Sequence, residues 1–413
     1  MSLNVFDKQG CKETNILFVT NKNVNPLIGG IERVTHVLAN AFSQTYGYQC
    51  YSAFTQHLAP TPASPFCGEL LIDSANVAGS LAHFIRSNNI DVVIAQGADA
   101  AVGSIVGDIR KAVDSRDGCK LLFVFHNKPG FEHTRMSYET LLYRILHGQD
   151  LSYNLKYLLF QLFGTCAKPL LARKLQAKYK PACTLADRLV LLSPRYIDSY
   201  AACAGVRPDG KFVAIGNPAS FDTNFNMQRY DELKRNEVLF VGRFDDKHKR
   251  LSQALRIWQL VERDGRFPQW TLRIVGYGPD ESYCRALARR LALRQIAFIG
   301  MTDSRPYYTS ASLFISTSAF EGFPMVLLEA LQMAVVPLAF DSYGALHDII
   351  NDRRNGVIIP DGDRRAFAAR LMELMEKHRL RRQTAAQAVL SVEKHSLQNI
   401  ASQWNRLLQE ILP

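Results

Sequence analysis

Short apolar runs alternate with longer amphipathic stretches along most of the chain. Continuous apolar runs are typical of strands buried on both faces, and apolar positions three or four residues apart are typical of helices. The first half carries predicted strands at Ile16–Thr20, Asp91–Ala95, Lys120–His126, Arg188–Leu192 and Phe212–Ile215, with helices at Ile31–Ser43, Ala75–Ser87 and Ala100–Val113. The second half carries strands at Val238–Val241, Thr271–Val275, Ala297–Ile299, Leu313–Ser316 and Val335–Phe340, with helices at Leu251–Arg263, Glu281–Leu291 and Pro324–Met333.

This alternation predicts an α/β protein whose parallel sheets are covered by helices on both faces. A chain of 413 residues is long enough for two such domains. We expect two Rossmann-like domains facing across a cleft, separated by the polar stretch 218–235, which lacks an apolar period. The predicted domains are therefore 1–218 and 219–396, followed by one amphipathic helix at 397–413.

The segment 131–180 interrupts the alternation, because it is far longer than one crossover between strands requires. It contains the apolar runs Leu141–Leu146 and Tyr157–Phe163, and its basic residues outnumber its acidic ones. Its basic residues include Lys168, Arg173, Lys174 and Lys178. Apolar stripes flanked by Lys and Arg are typical of an interfacial helix on a membrane. Ordinary helices packed on the first sheet give the same pattern, so both interpretations stay open.

The stretch S-A-F-E-G-F-P-M-V-L-L-E, from Ser318 to Glu329, joins a predicted strand to a predicted helix. Proline suits the first helical turn, where its missing N–H is not needed. The amides near the start of this helix lack helical acceptors, and the helix dipole makes that end an anion site. The free amides are those of Phe323, Met325 and Val326, and the predicted donor-binding residues of this stretch are Gly322, Phe323, Pro324, Met325 and Val326.

Two carboxylates flank this helix start. A sugar diphosphate lying across it would place a hexose near Glu321 and a ribose near Glu329, since a carboxylate accepts hydrogen bonds from two vicinal hydroxyls. The alternative is that Glu321 caps the helix and Glu329 lies on the surface. The apolar neighbours of Glu329 oppose that alternative, because a carboxylate among them needs partners.

A second candidate is V-G-R-F-D-D-K-H-K-R-L, from Val241 to Leu251. It follows the first strand of the second half, the position where α/β folds bind ligands. Gly242 permits close approach of the backbone, and Arg243 with Lys249 can stabilise the charge that develops on a departing nucleoside diphosphate. A solvated basic helix start is the plainer interpretation.

Three weaker signals accompany these two. The turn I-V-G-Y-G-P, with Gly276 and Gly278, lacks the third glycine of a nicotinamide or flavin fingerprint, and we expect it near the base or ribose of a donor. Gly29 and Gly30 precede the first long helix and allow a loop to approach the donor phosphates or the acceptor. His126 ends an apolar strand at the predicted cleft, where a catalytic and a structural role are both open.

Composition limits the function classes. The net charge of +11 suits a phosphate-bearing ligand, an anionic membrane or nucleic acid, and it selects none of them. The eight cysteines form no C-x-x-C pair, which indicates reduced thiols and predicts neither disulfides nor a metal site. No signal peptide or membrane-spanning run is evident. We therefore expect a cytoplasmic protein, either soluble or peripheral on the inner face of the plasma membrane.

In combination, Gly29-Gly30, His126, the loop Gly242–Lys249, the I-V-G-Y-G-P turn and the E-x7-E pair resemble glycosyltransferase family four, retaining enzymes of the GT-B fold. The resemblance covers essentially the whole chain and is densest from Val238 to Asn355. It implies that no metal or other cofactor is needed and that the terminal helix crosses back onto the first domain.

The resemblance also implies site roles. Glu321 would contact the donor sugar and Glu329 the ribose, Arg243 and Lys249 would bind the diphosphate, and His126 would lie near the donor sugar and the acceptor. One departure concerns the lysine, which in the family usually follows the arginine by five residues. His248 holds that position here, so either Lys249 or Arg250 could bind the diphosphate.

We therefore expect a retaining transferase that moves a hexose-type sugar from a UDP-sugar or GDP-sugar to a glycan or lipid-linked acceptor, in surface polysaccharide assembly. No carboxylate pair with the arrangement of a double-displacement glycosidase is recognisable, which argues against a covalent glycosyl-enzyme. One alternative is a sugar-nucleotide epimerase of similar fold, which would need further acid and base groups around the sugar. A nucleic-acid-binding function rests on net charge alone, and we expect no nucleic acid partner.

Overall fold

The computed structural model describes residues 14–26, 29–58, 64–97, 105–147, 151–163 and 168–412. The ends of the predicted domains at 1–13 and 413, the start of the helix predicted at Ala100–Val113 and the Lys168 side chain lie outside the described residues. Within the described ranges, two parallel sheets organise the chain, one in each half.

The first domain is built on a seven-stranded parallel sheet with the order β3-β2-β1-β4-β5-β6-β7. Its strands are β1 (Asn15–Lys22), β2 (Gln49–Gln56), β3 (Gly68–Leu71), β4 (Val92–Gly97), β5 (Lys120–Phe125), β6 (Arg188–Leu191) and β7 (Phe212–Ala214). Its helices are α1 (Gly30–Tyr46), α2 (Val77–Ser87), α3 (Val106–Val113), α4 (Tyr138–Leu146), α5 (Leu151–Phe163), α6 (Lys168–Leu185) and α7 (Ile197–Ala204). Every residue of β4 is buried, which explains its uninterrupted apolar run.

The second domain has a six-stranded parallel sheet with the order β10-β9-β8-β11-β12-β13. Its strands are β8 (Glu237–Val241), β9 (Thr271–Val275), β10 (Ile296–Gly300), β11 (Leu313–Ser316), β12 (Val336–Asp341) and β13 (Val357–Pro360). The helices from the domain boundary to the end of the chain are α8 (Tyr230–Leu233), α9 (Leu251–Asp264), α10 (Glu281–Arg290), α11 (Arg305–Ser310), α12 (Met325–Gln332), α13 (Leu346–Ile349), α14 (Arg364–Glu376), α15 (His378–Ser391) and α16 (Leu397–Ile411).

The carboxyl edges of the two sheets face each other. The strand order reverses between β1 and β4 in the first sheet and between β8 and β11 in the second, and α/β sheets bind ligands at such points. The loop after β11 touches the end of β5, because a Cβ added to Gly322 would lie 2.1 Å from the carbonyl oxygen of His126. The site predicted from the sequence therefore lies where the two domains meet.

The structure differs from the sequence-based predictions in three strands and one helix start. The strands β2, β3 and β13 were not predicted, because polar residues interrupt the apolar run of β2 and the other two are four-residue edge strands. The placement of Pro324 in the first helical turn is wrong. Its ψ of 108° is extended, so it is the N-cap and the helix begins at Met325.

The described part of the segment 131–180 contains the helices α4, α5 and most of α6, and these helices have different surroundings. Helix α6 packs on the first sheet, since Tyr179 is buried with its ring 5.3 Å from that of Phe125. The interpretation as ordinary packed helices is therefore correct for α6. Helix α5 leaves several leucines exposed, and α4 reaches the second domain.

The terminal helix α16 lies against α1 of the first domain. Trp404 and Leu408 are buried in this contact, and Asn405 accepts a hydrogen bond from the Tyr48 hydroxyl. At the far end, Arg188 and Glu410 form an ion pair at 2.8 Å. The chain thus returns to the first domain after it has completed the second.

We expect Trp404→Ala to lower the free energy of unfolding by about 3 kcal/mol, because it removes a large buried side chain and leaves a cavity. Gln409→Ala, on the exposed face of the same helix, should change it by less than about 0.5 kcal/mol. Urea denaturation followed by circular dichroism measures both. Equal stability of the two variants would show that α16 does not stabilise the first domain.

Candidate functional site

Glu321 lies at the centre of the candidate site, in the loop between β11 and α12, and it is 7% exposed. Its Oε1 accepts a hydrogen bond from Lys249 Nζ at 2.5 Å, and its Oε2 lies 3.4 Å from His248 Nε2. The Tyr196 hydroxyl donates to the backbone oxygen of Glu321 at 2.7 Å. The carboxylate is thereby fixed in place by the neighbouring loop, and its backbone is fixed by the first domain.

The charge of Glu321 follows from these contacts. Burial alone would raise the pKa of this carboxyl, but the Lys249 ammonium and the His248 ring hold the pKa well below its usual range. The group is therefore an ionised carboxylate at neutral pH and can only accept hydrogen bonds. Hydroxyl groups of a sugar are suitable donors.

The start of α12 offers free backbone amides beside this carboxylate. Among the described residues, no acceptor receives a hydrogen bond from the amides of Phe323, Met325 or Val326. The loop between β11 and α12 is fixed by Asn217, whose Nδ2 donates to the Phe323 carbonyl at 3.1 Å. Free amides at a helix start attract anions, and a phosphate group fits this position.

The loop after β8, residues 242–251 and called here the cationic loop, has four Lys and Arg residues, and three of them were candidates for binding a diphosphate. Lys249 points to Glu321, and Arg250 points away from it: Arg250 donates to the carbonyl of Thr317 at 2.7 Å and pairs with Asp361 at 2.6 Å. Arg243 is exposed, and within the described residues its guanidinium has no hydrogen-bond or ion-pair partner. Of the two residues left open by the sequence, Lys249 is the one at the site.

Glycine is required at positions 276 and 278 because the loop after β9 packs closely against the loop after β8. A Cβ on Gly276 would lie 2.0 Å from the carbonyl oxygen of Gly242, and one on Gly278 would lie 2.5 Å from that of Phe244. Gly276 also has a φ of +133°, which side chains rarely adopt. The glycine turn therefore packs directly on the loop that carries Arg243 and Lys249.

Glu329 forms an ion pair with the first domain. It is 1% exposed, and its Oε1 accepts from Arg33 NH1 at 2.7 Å and from Ser220 Oγ at 2.7 Å. Arg33 lies in the first turn of α1, directly after Gly29 and Gly30. Arg33 and Ser220 were missed in the sequence analysis. The glycine pair, followed three residues later by an arginine in the first helical turn, was the signal that could have indicated Arg33.

His126 is partly buried at the end of β5, and its Nε2 is hydrogen-bonded to Gln96 Oε1. Desolvation lowers the pKa of His126 to about 3, so the ring is neutral at physiological pH. The backbone of His126 contacts Gly322, which places the imidazole beside the Glu321 loop.

The structure thus brings together a buried carboxylate, a lysine, free amides and a neutral histidine, with a second carboxylate on the same helix. Glu321, Lys249, Gly322 and His126 meet at one point, and Glu329 meets the start of α1 at another. This set can bind a ligand that combines hydroxyl groups with an anion. In the part of the chain that is described, no group of three His, Cys, Asp or Glu could hold a metal ion.

Comparisons with known proteins find similarity to glycosyltransferases. Residues 222–389 match the family model described as Glycosyl transferases group 1. The amylovoran biosynthesis glycosyltransferase AmsD of Erwinia amylovora is 29% identical over 54% of this chain and 62% of its own. A GalNAc-α-(1→4)-GalNAc-α-(1→3)-diNAcBac-PP-undecaprenol α-1,4-N-acetyl-D-galactosaminyltransferase of Campylobacter jejuni is 24% identical over 46% of this chain and 51% of its own. These alignments span between half and two thirds of the relatives' own length.

Solved structures cover nearly the whole chain. The lipopolysaccharide outer core galactosyltransferase WaaB has a TM-score of 0.63 at 17% identity, covering 97% of this chain and 100% of its own. Anabaena Alr3699/HepE, in complex with UDP and glucose, has a TM-score of 0.68 at 16% identity, covering 96% and 100%. The protein has the GT-B fold, as predicted. The sequence match to group 1 glycosyltransferases covers residues 222–389, which lie in the second domain.

The lowered pKa of His126 predicts that its ring stays neutral in mild acid, and this can be measured. The folded-state pKa of about 3 lies below the ordinary 6.5, so on acidification the unfolded chain binds this proton first. The stability that this histidine contributes is present above pH 6.5 and is lost as the pH falls from 6.5 towards 3. NMR of the labelled ring, assigned with His126→Gln, should show no protonation at pH 5. A midpoint near 6.5 would contradict the desolvated position.

Proposed function

We propose that this protein is a glycosyltransferase that uses a nucleotide-sugar donor and binds it mainly through the second domain. The observation that carries the proposal is the buried, ionised Glu321 directly before a helix start with free amides. A carboxylate and an anion site side by side suit a ligand with hydroxyl groups at one end and phosphates next to them. A nucleotide-sugar has that order of groups.

The donor can be placed residue by residue. Glu321 accepts hydrogen bonds from the sugar hydroxyls, and the amides of Met325 and Val326 take the diphosphate. Arg243 and Lys249 supply positive charge to the same phosphates. Glu329 accepts from the ribose hydroxyls, since a carboxylate has about four acceptor sites and Arg33 and Ser220 use two of them.

The proposed reaction retains the configuration at the anomeric carbon. The bond between that carbon and the diphosphate oxygen breaks, and a bond to the acceptor oxygen forms on the same face. The acceptor's proton passes to the departing diphosphate, whose developing charge Arg243 and Lys249 stabilise. The neutral His126 lies beside the sugar position. As the family resemblance implies, this step uses no metal, and chelator should leave the rate unchanged.

The comparisons support the choice of donor and acceptor class. HepE was solved with UDP and glucose, which favours a UDP-sugar with a hexose over a GDP-sugar. The relatives' names include amylovoran biosynthesis and an undecaprenol-linked acceptor, which favours a growing glycan or lipid-linked acceptor in surface polysaccharide assembly. None of the relatives named above is an epimerase.

We expect wild-type protein to bind UDP with micromolar affinity and an Arg243→Ala, Glu329→Ala double variant to bind it at least tenfold more weakly. A charge-assisted hydrogen bond contributes about 1.5–3 kcal/mol, so losing one suffices for that factor. Isothermal titration calorimetry with UDP and with GDP makes the measurement. Arg353→Ala, which removes a side chain that is 69% exposed in the turn before β13, is the matched control.

Binding of neither nucleotide by folded wild-type protein would overturn the donor site. Incubation with the UDP-sugar alone separates transfer from epimerisation, because an epimerase converts the sugar without any acceptor. NMR of the product's anomeric proton decides whether configuration is retained.

A second proposal concerns helices α4 and α5, which we propose to contact a membrane surface. Of the fourteen large hydrophobic residues that are exposed in the described chain, eight lie between 138 and 162. They are Tyr138, Leu142, Leu146, Leu151, Tyr153, Leu155, Leu159 and Leu162. Lys156 lies exposed among them. Lys178 does not contribute, because it pairs with Glu132 at 2.6 Å. No described helix is long and apolar enough to cross a bilayer.

The face formed by Leu155, Leu159 and Leu162 provides the test. We expect replacement of all three by Ser to reduce partition onto anionic lipid vesicles at least tenfold, since each leucine buried in lipid contributes about 1.5–3 kcal/mol. Leu390→Ser removes an equally exposed leucine, 69% accessible, from the second domain and serves as control. Co-sedimentation measures the partition. Unchanged partition of the triple variant would rule out this face as the lipid contact.

A further inference from the structure

Helix α4 belongs to the first domain but contacts the donor loops of the second. Arg144 donates two parallel hydrogen bonds to Asp280, from Nε to Oδ1 and from NH2 to Oδ2, each 2.6 Å long. The Asp280 side chain is fully buried, and that of Arg144 is 12% exposed. Bidentate pairing of this kind fixes both partners in orientation as well as in distance.

Asp280 is in turn hydrogen-bonded to the backbone of the cationic loop. Its Oδ2 accepts from the amide of Asp246 at 2.7 Å, and its own amide donates to the carbonyl of Phe244 at 2.9 Å. Asp246 in turn accepts from the amide of Ser252 at 2.8 Å, which fixes the start of α9. Two carboxylates therefore fix the loop from 242 to 251: that of Asp280 from outside the loop and that of Asp246 from within it.

A second contact from α4 reaches the same network. The Thr140 hydroxyl donates to Asp246 Oδ2 at 2.7 Å, one helical turn before Arg144. The carboxylates of Asp246 and Asp280 are both buried. Burial raises the pKa of Asp246, and the neighbouring Asp280 carboxylate adds to that rise. Removal of Arg144 would leave two buried acids without the guanidinium that faces them, and such a network rearranges or admits water.

We infer that Arg144 is a positioning residue: through Asp280 it orders the second-domain loop that carries Arg243 and Lys249. The role of that loop in binding diphosphate rests on the proposed function, whereas its ordering by α4 does not. Donor binding would then depend on a residue of the opposite domain that never touches the donor.

Helix α4 also carries a residue that can serve as the control for Arg144. Glu139 forms ion pairs with Arg256 and Arg290, which lie on α9 and α10 and outside the cationic loop. Loss of these pairs weakens the contact of α4 with the second domain but leaves the Arg144–Asp280 contact intact. Glu139→Gln therefore separates general docking of α4 from ordering of the loop.

Hydrogen–deuterium exchange of the full-length protein, read on the peptide covering 242–251, tests the inference directly. We expect Arg144→Ala to speed exchange there about tenfold and to weaken UDP binding about tenfold, while Glu139→Gln changes neither. Arg144→Lys should restore both only in part, because an ammonium cannot form the bidentate pair.

Exchange in Arg144→Ala at the wild-type rate would overturn the inference, as would an equal effect of Glu139→Gln. If Arg144→Ala fails to fold, Thr140→Val serves instead, since it keeps the side-chain volume and removes the hydrogen bond to Asp246. Faster exchange in that variant supports the inference, and unchanged exchange contradicts it. Failure of the proposed function gives a different result, namely wild-type protein that binds neither UDP nor GDP.

Discussion

Burial of the Glu321 carboxylate is the constraint on which the site depends. An ionised group with so little exposure is tolerated only where a counter-charge and hydrogen bonds compensate for lost hydration. Lys249 and His248 supply these, so the loop after β8 must lie against the loop after β11. The glycines at 276 and 278 and the contacts of Arg250 follow from this requirement, since they allow three loops to meet without side chains between them.

The two ion pairs between the domains in which the carboxylate is buried share one electrostatic pattern. At Arg33–Glu329 and Arg144–Asp280, the first domain supplies the cation and the second supplies a buried carboxylate. Separation of the domains would leave these carboxylates unpaired, so they favour the closed arrangement. A bound nucleotide-sugar would add hydroxyl donors and a diphosphate to the same cleft. Arg33 keeps part of its side chain accessible while it pairs with Glu329, since that side chain is 38% exposed.

The fold and the core of the site were predictable because they depend on local patterns. Strand–helix alternation gave the two sheets, and the motif around Glu321 and Glu329 directed attention to the helix start. Polar residues interrupt the apolar run of β2, and Arg33, the charged partner of Glu329, lies on another domain 296 residues away. Neither the choice between Lys249 and Arg250 nor the Arg144–Asp280 pair follows from spacing. Both depend on how loops distant in sequence pack, which no local pattern encodes.

Helix α4 takes part in both proposals for the segment 131–180, the membrane contact and the ordering of the loop 242–251, because it uses a different face for each. Thr140 and Arg144 lie one turn apart and face the second domain, whereas Leu142 and Leu146, also one turn apart, are exposed on another side. A helix held on one side by buried carboxylates presents its leucines in a fixed orientation. Coupling between two sites is reciprocal, so a lipid surface that favours this orientation also favours the ordered donor loop. A lipid-linked acceptor would then be met by an enzyme whose donor site is already formed.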